Sequence, residues 1–233
     1  MKGKLFLVPV TLGTAEYQHV IPEGVLSTIK NLRVFIVEDI RSARRFLRSI
    51  DSEFPIDDCE FLILNEHTRS TEYSGMLKNI REGNDTGLMS EAGVPGIADP
   101  GSPVIRIAHT EKVNVVPLSG PSSILMAMMS SGLNGQNFAF NGYLPVKRDE
   151  RIRKIKQLEA LAIKGQSQIL METPYRNMHM LEDLLNSCDN KRMLCIASNI
   201  STDKELIITK QIKEWKSGPL PDIHKCPTIF IIG

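Results

Sequence analysis

Apolar residues in this chain fall into short runs separated by polar, turn-forming stretches. "KLFLVPV" (from Lys4), "RVFIVE" (Arg33–Glu38), "EFLILN" (Glu60–Asn65), "TGLMS" (from Thr86) and "VNVVPL" (Val113–Leu118) are nearly continuous in Val, Ile, Leu and Phe. Runs of this kind predict strands buried on both faces. Between them, helical spacing appears around Pro22–Lys30, Ser42–Ile50, Thr71–Glu82 and Ser102–His109. Short apolar strands alternating with helices predict a largely parallel sheet covered on both sides. "SGPSS" (Ser119–Ser123) breaks the rhythm, which puts a boundary near Leu118–Ser122. The expectation is an α/β protein with one domain over 1–118 and a second over 119–233. In the second half, helices are expected over Ser122–Ser131, Asp149–Ile163 and Tyr175–Ser187. Strands are expected at "FAFNGYL", "SQILMET", "RMLCIAS", "KELIITKQI" and "PTIFIIG". The later strands follow one another without helices between them, which predicts antiparallel pairing.

Composition changes this picture little. The 233 residues are 42% hydrophobic and 24% charged, ordinary for a globular chain. No apolar run approaches the ~18 residues of a membrane span. "MKGKLFLVPV" leads into "TLGTAEYQH" without a small-residue cleavage site, so it reads as a first strand and not as a signal peptide. The formal charge is +1, so any nucleic-acid contact must come from local basic patches. Cys59, Cys188, Cys195 and Cys226 are scattered, with no CxxC pair and no His cluster. Buried thiols in a reducing cytoplasm are expected, and neither a metal site nor a disulfide framework.

The most informative stretch is "SEAGVPGIADPGSP" (Ser90–Pro103), a strand-to-helix crossing with three Gly, three Pro and no Lys or Arg. Ligands of open α/β sheets sit beyond the carboxyl ends of strands, where this loop lies. Glycines let backbone N–H groups approach a ligand, and prolines fix the path beforehand. Both the GxxxxGK[ST] phosphate cradle and the GxGxxG dinucleotide fingerprint are absent. The loop therefore suits a ligand without phosphates, held by backbone groups near Glu91 and Asp99, such as a zwitterion with an additional positive charge. The competing reading is a stiff loop in which Asp99 and Ser102 serve a turn and a helix cap. A second motif, "PLSGPSSILMAMM", sets Ser122 and Ser123 at the start of an apolar helix, as an anion site or an ordinary N-cap. Met126, Met128 and Met129 read as core filling.

Taken together, "LFLVPVTLG", "VEDIRSARRFL", "LNEHTRS", "SEAGVPGIADPG", "VVPLSGPSSILMAMMSSGL", "FAFNGYLPVKRDER", "METPYR" and "ELIITK" resemble the tetrapyrrole methylase superfamily. These are class III S-adenosyl-L-methionine (SAM)-dependent methyltransferases. The motifs occur in family order along almost the whole chain and look most like the ribosomal RNA small subunit methyltransferase I branch, shortened at the C-terminus. The resemblance implies two α/β domains with a SAM cleft between them, and 2′-O-methylation of a ribose in 16S ribosomal RNA. It implies cofactor contacts from Leu12 and Gly13, from Glu91, Ala92, Gly93, Val94, Pro95, Asp99 and Gly101, and from Ser122 and Ser123. Glu172, Thr173 and Pro174 are expected at an adenine slot. A homodimer in the cytoplasm is implied as well.

A ribose hydroxyl is a weak nucleophile, so a base or orienting acceptor is expected. Glu38 and Asp39 of "VEDIR", with Arg41, and Glu66 and His67 of "NEHTR" are the candidates, against helix capping for the acids of "VEDIR" and exposure or capping for the histidine. RNA contact is expected from "RSARRFLRS", through Arg44 and Arg45, and from "VKRDERIRKIKQ", through Lys147, Arg148 and Arg151. With aromatic residues at 6%, phosphate contacts are expected to outweigh stacking. The first loop and "NISTDKELIITK" depart from the ribosomal pattern, which leaves room for a paralogue with another target. Alternatives are a precorrin-type tetrapyrrole methyltransferase and a non-catalytic SAM-binding RNA module; a nicotinamide dehydrogenase fits worst, for want of the glycine fingerprint.

Overall fold

The structure, a computed structural model, describes residues 2–14 and 16–233. The chain divides into two compact units, Met1–Ser122 and Ser123–Gly233. The first unit runs β1 (Lys4–Val8), α1 (Glu23–Asn31), β2 (Val34–Val37), α2 (Ile40–Ile50), β3 (Glu60–Ile63), α3 (Lys78–Arg81), β4 (Thr86–Met89), α4 (Ser102–Thr110) and β5 (Asn114–Pro117). Its five strands lie in the order β3-β2-β4-β1-β5, all pairs parallel. The inner strands β2 and β4 are buried at every position, whereas the outer strands β3 and β5 are exposed at both ends. β2 divides its side chains between the two faces. Phe35 and Val37 join the core under α1 and α2, and Ile36 joins the core under α4. That division requires continuous apolar runs in place of alternation.

Helix α2 shows how sequence sets element. Asp39 caps its start, accepting from the Ser42 N–H at 2.7 Å and the Ser42 hydroxyl at 2.6 Å. Ala43, Phe46, Leu47 and Ile50 repeat at three-to-four spacing and are buried, while Arg41, Arg44, Arg45 and Arg48 face solvent. Burial of Phe46 and Leu47 stabilises the docked helix by roughly 1.5–3 kcal/mol each. The expected helix over Thr71–Glu82 is largely absent. A 3-10 turn at Gly75–Leu77 and the one-turn α3 replace it. The reason is local: Thr71, Ser74 and Gly75 are poor helix formers, and backbone bonds such as Gly75 N to Glu72 O close turns instead.

The second unit contains α5 (Ser123–Ser130), β6 (Phe138–Tyr143), α6 (Arg148–Ile163), β7 (Ser167–Met171), α7 (Asn177–Ser187), β8 (Met193–Ser198), β9 (Leu206–Gln211), α8 (Ile212–Ser217) and β10 (Thr228–Ile232). The sheet order is β6-β7-β10-β8-β9. β6 and β7 are parallel and the other pairs antiparallel; the β8–β9 pair, joined without a helix, is the one the uninterrupted strands predicted, whereas α8 separates β9 from β10. The C-terminal β10 occupies the centre and is wholly buried. α6, α7 and α8 cover one face around Phe230 and Trp215. The helix α8 has no counterpart in the sequence expectations. Its start is a capping box between Gln211, near the end of the run assigned to a strand, and Glu214 just beyond it. Met128 fills the core as expected, but Met129 is 83% exposed, since it lies on the opposite side of α5 from Ala127 and Met128. No helix among the described residues is long and apolar enough to cross a membrane.

Candidate functional site

The site in the first unit is built at the carboxyl ends of β2, β3 and β4. The loop after β4 is fixed by its own backbone. Gly93 and Val10 exchange both backbone hydrogen bonds, at 2.8 and 3.1 Å, tying the loop to the segment that follows β1. Gly93 has φ +74°, and a Cβ there would press on Leu12 and on the Pro121 carbonyl. Leu12, Gly93 and Pro121 therefore converge, which brings three sequence motifs to one place. Gly120 is excluded from carrying a side chain more firmly, because its Cβ would lie 2.1 Å from the Cβ of Pro9.

Asp99 organises the far end of the loop. One carboxylate oxygen accepts from Gly96 N at 2.8 Å and Gly101 N at 2.9 Å. The turn it closes includes Ala98 at φ +59°, a left-handed conformation that a side chain disfavours. Burial raises the Asp99 carboxyl above its ordinary value, against the two N–H groups. Asp99 thus fills the turn role foreseen for it; Ser102 does not cap α4, whose N-cap is Gly101.

Glu38 follows β2, half-buried, and accepts from the Glu91 N–H at 3.3 Å. Its carboxyl is raised first by burial; the Glu91 N–H lowers it, while the Asp99 and Glu91 carboxylates push it up again. Glu38, Glu66, Glu91 and Asp99, with Asn65, Ala98 and Pro100, line a concavity of about 430 Å³. No Lys or Arg among the described residues shares that lining. No group of three metal-ligating side chains forms among the described residues. The bowl is acidic, partly dehydrated and walled by backbone, which suits an organic cation.

The other candidate residues fall differently. The carboxylate of Asp39 is committed to the α2 cap, and the Ser42 hydrogen bonds hold it below its ordinary value. Arg41 is exposed in the first turn of α2, a turn without acids, where the helix dipole disfavours a cation. His67 projects into solvent, 3.6 Å from Glu66, outside the bowl's lining. Gly13 is exposed at φ +109°, beside Leu12. Ala92 is exposed, Val94 half-buried and Pro95 buried along the loop. Ser122 and Ser123 are half-buried where α5 begins.

In the second unit two expectations need correction. Glu172 is buried and its carboxylate is spent on Arg176 and on the Thr173 N–H, so it is a structural ion pair and not an open ligand group. Thr173 and Pro174 lead the 3-10 turn Pro174–Arg176. Arg151 is not an RNA-facing residue. Its side chain is 9% exposed and paired with Asp183 at 2.6 Å, because α6 turns that position toward α7. Arg148 also reaches Asp183, at 2.9 Å, yet remains largely exposed. Lys147, Arg44 and Arg45 are exposed; the Arg44 guanidinium lies 5.5 Å above the Phe61 ring. Asn65, Ala98 and Pro100 belong to the bowl without being sequence candidates; Asn65 precedes Glu66 in "LNEHTRS", and Ala98 and Pro100 flank Asp99 in the Gly- and Pro-rich loop.

The profile of the Tetrapyrrole (Corrin/Porphyrin) Methylases matches residues 4–216. The chain belongs to that family. It is 28% identical to the ribosomal RNA small subunit methyltransferase I of Pseudomonas aeruginosa over 222 residues, spanning 95% of this chain and 72% of that protein. Among solved structures, the methyltransferase CobJ superposes with a TM-score of 0.65 at 15% identity, covering 99% of this chain and 94% of CobJ. The Thermus thermophilus uroporphyrin-III C-methyltransferase, solved with S-adenosyl homocysteine, gives 0.56 at 16%, covering 99% and 97%. At these identities the likeness to CobJ and the Thermus enzyme establishes the two-domain α/β fold.

Proposed function

We propose that this chain transfers a methyl group from SAM to a ribose 2′-hydroxyl of small-subunit ribosomal RNA. The observation that carries the methyl-donor reading is the acid-lined, Lys- and Arg-free bowl at the carboxyl ends of β2, β3 and β4. SAM, when bound, supplies an activated methyl group on a sulfonium; its positive charges match the Glu38, Glu91 and Asp99 carboxylates, and it needs no phosphate cradle. The similarity to a ribosomal RNA methyltransferase over nearly the whole chain supports RNA as acceptor.

The residues divide the work. Leu12, Gly13 and the 91–101 loop hold the cofactor, with Asp99 fixing the loop's backbone donors. Ser122, next to Pro121 at the end of the first unit, serves the carboxylate end of the methionine part. Glu38 takes the proton from the ribose hydroxyl; its raised carboxyl is a stronger base than an ordinary glutamate and is held in place by the Glu91 N–H. Arg44, Arg45, Lys147 and Arg148 face RNA phosphates. The protein acts as a cytoplasmic homodimer.

The test is nucleoside analysis of 16S ribosomal RNA from cells with and without the gene. One 2′-O-methylated nucleoside lost on deletion and restored by the intact gene, but not by a Glu38→Gln copy, is the expected result. An unchanged nucleoside profile, with methyl transfer to a tetrapyrrole in vitro, overturns the RNA reading.

A further inference from the structure

An exposed aromatic and cationic edge of the second unit lies outside the groups used above. Tyr175 is 69% exposed, a position where a tyrosine ring gains little from burial. The Lys225 ammonium stands 5.7 Å from its ring centroid, and the His224 ring meets it edgewise at 6.3 Å and 76°. His224 and Lys225 are themselves exposed. Lys225 adopts φ +60°, a left-handed conformation ordinarily left to Gly or Asn.

The platform is rigid. Asn177, wholly buried, donates to Cys226 O at 2.6 Å and Ile223 O at 3.3 Å. Lys225 N donates to Pro174 O at 3.0 Å, and Arg176 is pinned to Glu172. The segment after β7 and the segment before β10 are thereby joined into one surface. A second tyrosine lies at the same end of the sheet: Tyr143, 53% exposed, stands opposite Met171, the last residue of β7, beyond a register shift in β6. The exposed Lys147 follows it.

We propose that Tyr175, backed by Lys225 and His224, is a stacking platform for an unpaired RNA base, with the Lys225 charge toward the neighbouring phosphate. An exposed ring held beside a cation is what a base face and its phosphate recognise together. The inference rests on the RNA reading above and adds base stacking to the phosphate contacts expected from composition.

The test uses the full chain, a fluorescently labelled single-stranded 12-nucleotide RNA and, separately, S-adenosyl homocysteine. Tyr175→Ala should weaken RNA binding about tenfold, and Tyr175→Phe should restore it, since the ring and not the hydroxyl stacks. Lys225→Gln should lower the slope of log affinity against log salt by about 0.7, the single-strand value for one phosphate. S-adenosyl homocysteine affinity should stay unchanged in all three variants. Equal RNA affinity of wild type and Tyr175→Ala overturns the platform while leaving the RNA reading intact. Loss of S-adenosyl homocysteine affinity in Tyr175→Ala reassigns the ring to the cofactor's adenine. A shift in sedimentation without loss of RNA affinity reassigns it to a protein contact. A wild-type chain that binds no RNA removes both the platform and the reading beneath it.

Discussion

Replacing Asp183 with Ala removes the partner of a guanidinium that has almost no access to water. The Asp183 side chain is 2% exposed and takes two hydrogen bonds, from Arg148 Nε at 2.9 Å and Arg151 Nε at 2.8 Å, with Arg151 Nη2 in an ion pair at 2.6 Å. In the variant, Arg151 keeps only the Pro145 and Val146 carbonyls, at 3.2 and 2.7 Å. Breaking one side of such a buried pair costs about 3–5 kcal/mol, mostly from the charge left uncompensated. With a urea m-value of about 2 kcal/mol/M, the midpoint should fall by about 1.5–2.5 M. The assay is direct because Trp215 is the single tryptophan. It is buried in the second unit, with its indole N–H on Leu194 O, so its fluorescence reports that unit's unfolding. The double variant Arg151→Met with Asp183→Leu should recover most of the loss, since apolar groups of similar volume leave no charge behind. A midpoint within 0.5 M of wild type for Asp183→Ala, taking that m-value as about 2 kcal/mol/M, would refute the buried-pair reasoning.

Other outcomes separate roles within the bowl. Glu38→Gln should reduce methyl transfer at saturating SAM by about a hundredfold or more, whereas Asp39→Ser, which keeps a capping oxygen, should stay within about threefold of wild type; the reverse ranking would move the base to Asp39. Asp99→Ala frees the Gly96 and Gly101 N–H groups and should weaken SAM binding about tenfold by calorimetry, the loss of roughly one charge-assisted contact; unchanged affinity would remove Asp99 from the site. Burial holds the Glu38 and Asp99 carboxyls above their ordinary 4.5 and 3.8, so they become neutral earlier than usual as pH falls. Affinity for the cationic donor should therefore drop as pH is lowered toward those raised values and be flatter in the Glu38→Gln, Asp99→Asn double variant; an identical pH profile in both proteins would contradict it. Burial also pushes the Cys188 thiol up to about 12, so native protein should leave Cys188 unlabelled by a thiol reagent that modifies it once unfolded; rapid native labelling would argue against that burial.

The legibility of this chain follows its physics. Continuous apolar runs exposed the parallel sheet of the first unit because both faces of β2 and β4 are covered, and the direct succession of β8 and β9 exposed their antiparallel pairing in the second. The turn at Thr71–Gly75 and helix α8 were harder, since weak helix formers and a capping box at the end of a strand-like run are decided by short-range hydrogen bonds. Asp39 and Glu38 are neighbours with the same chemistry in sequence. Only the Ser42 cap and the burial of Glu38 separate them. Arg151 looked like its exposed neighbours in "VKRDERIRK" because one turn of helix, not residue type, sends it inward to Asp183. Glu172 differs from its sequence reading for a related reason: its partner Arg176 lies four residues on, at the end of the 3-10 turn Pro174–Arg176, and no spacing rule marks which pair will be buried.

The most direct measurement is transfer of labelled methyl from SAM to small ribosomal subunits prepared from cells lacking this protein. The account predicts label on a single ribose of 16S ribosomal RNA with wild-type protein and none with Glu38→Gln. SAM bound in the same preparation with no label on RNA would contradict it.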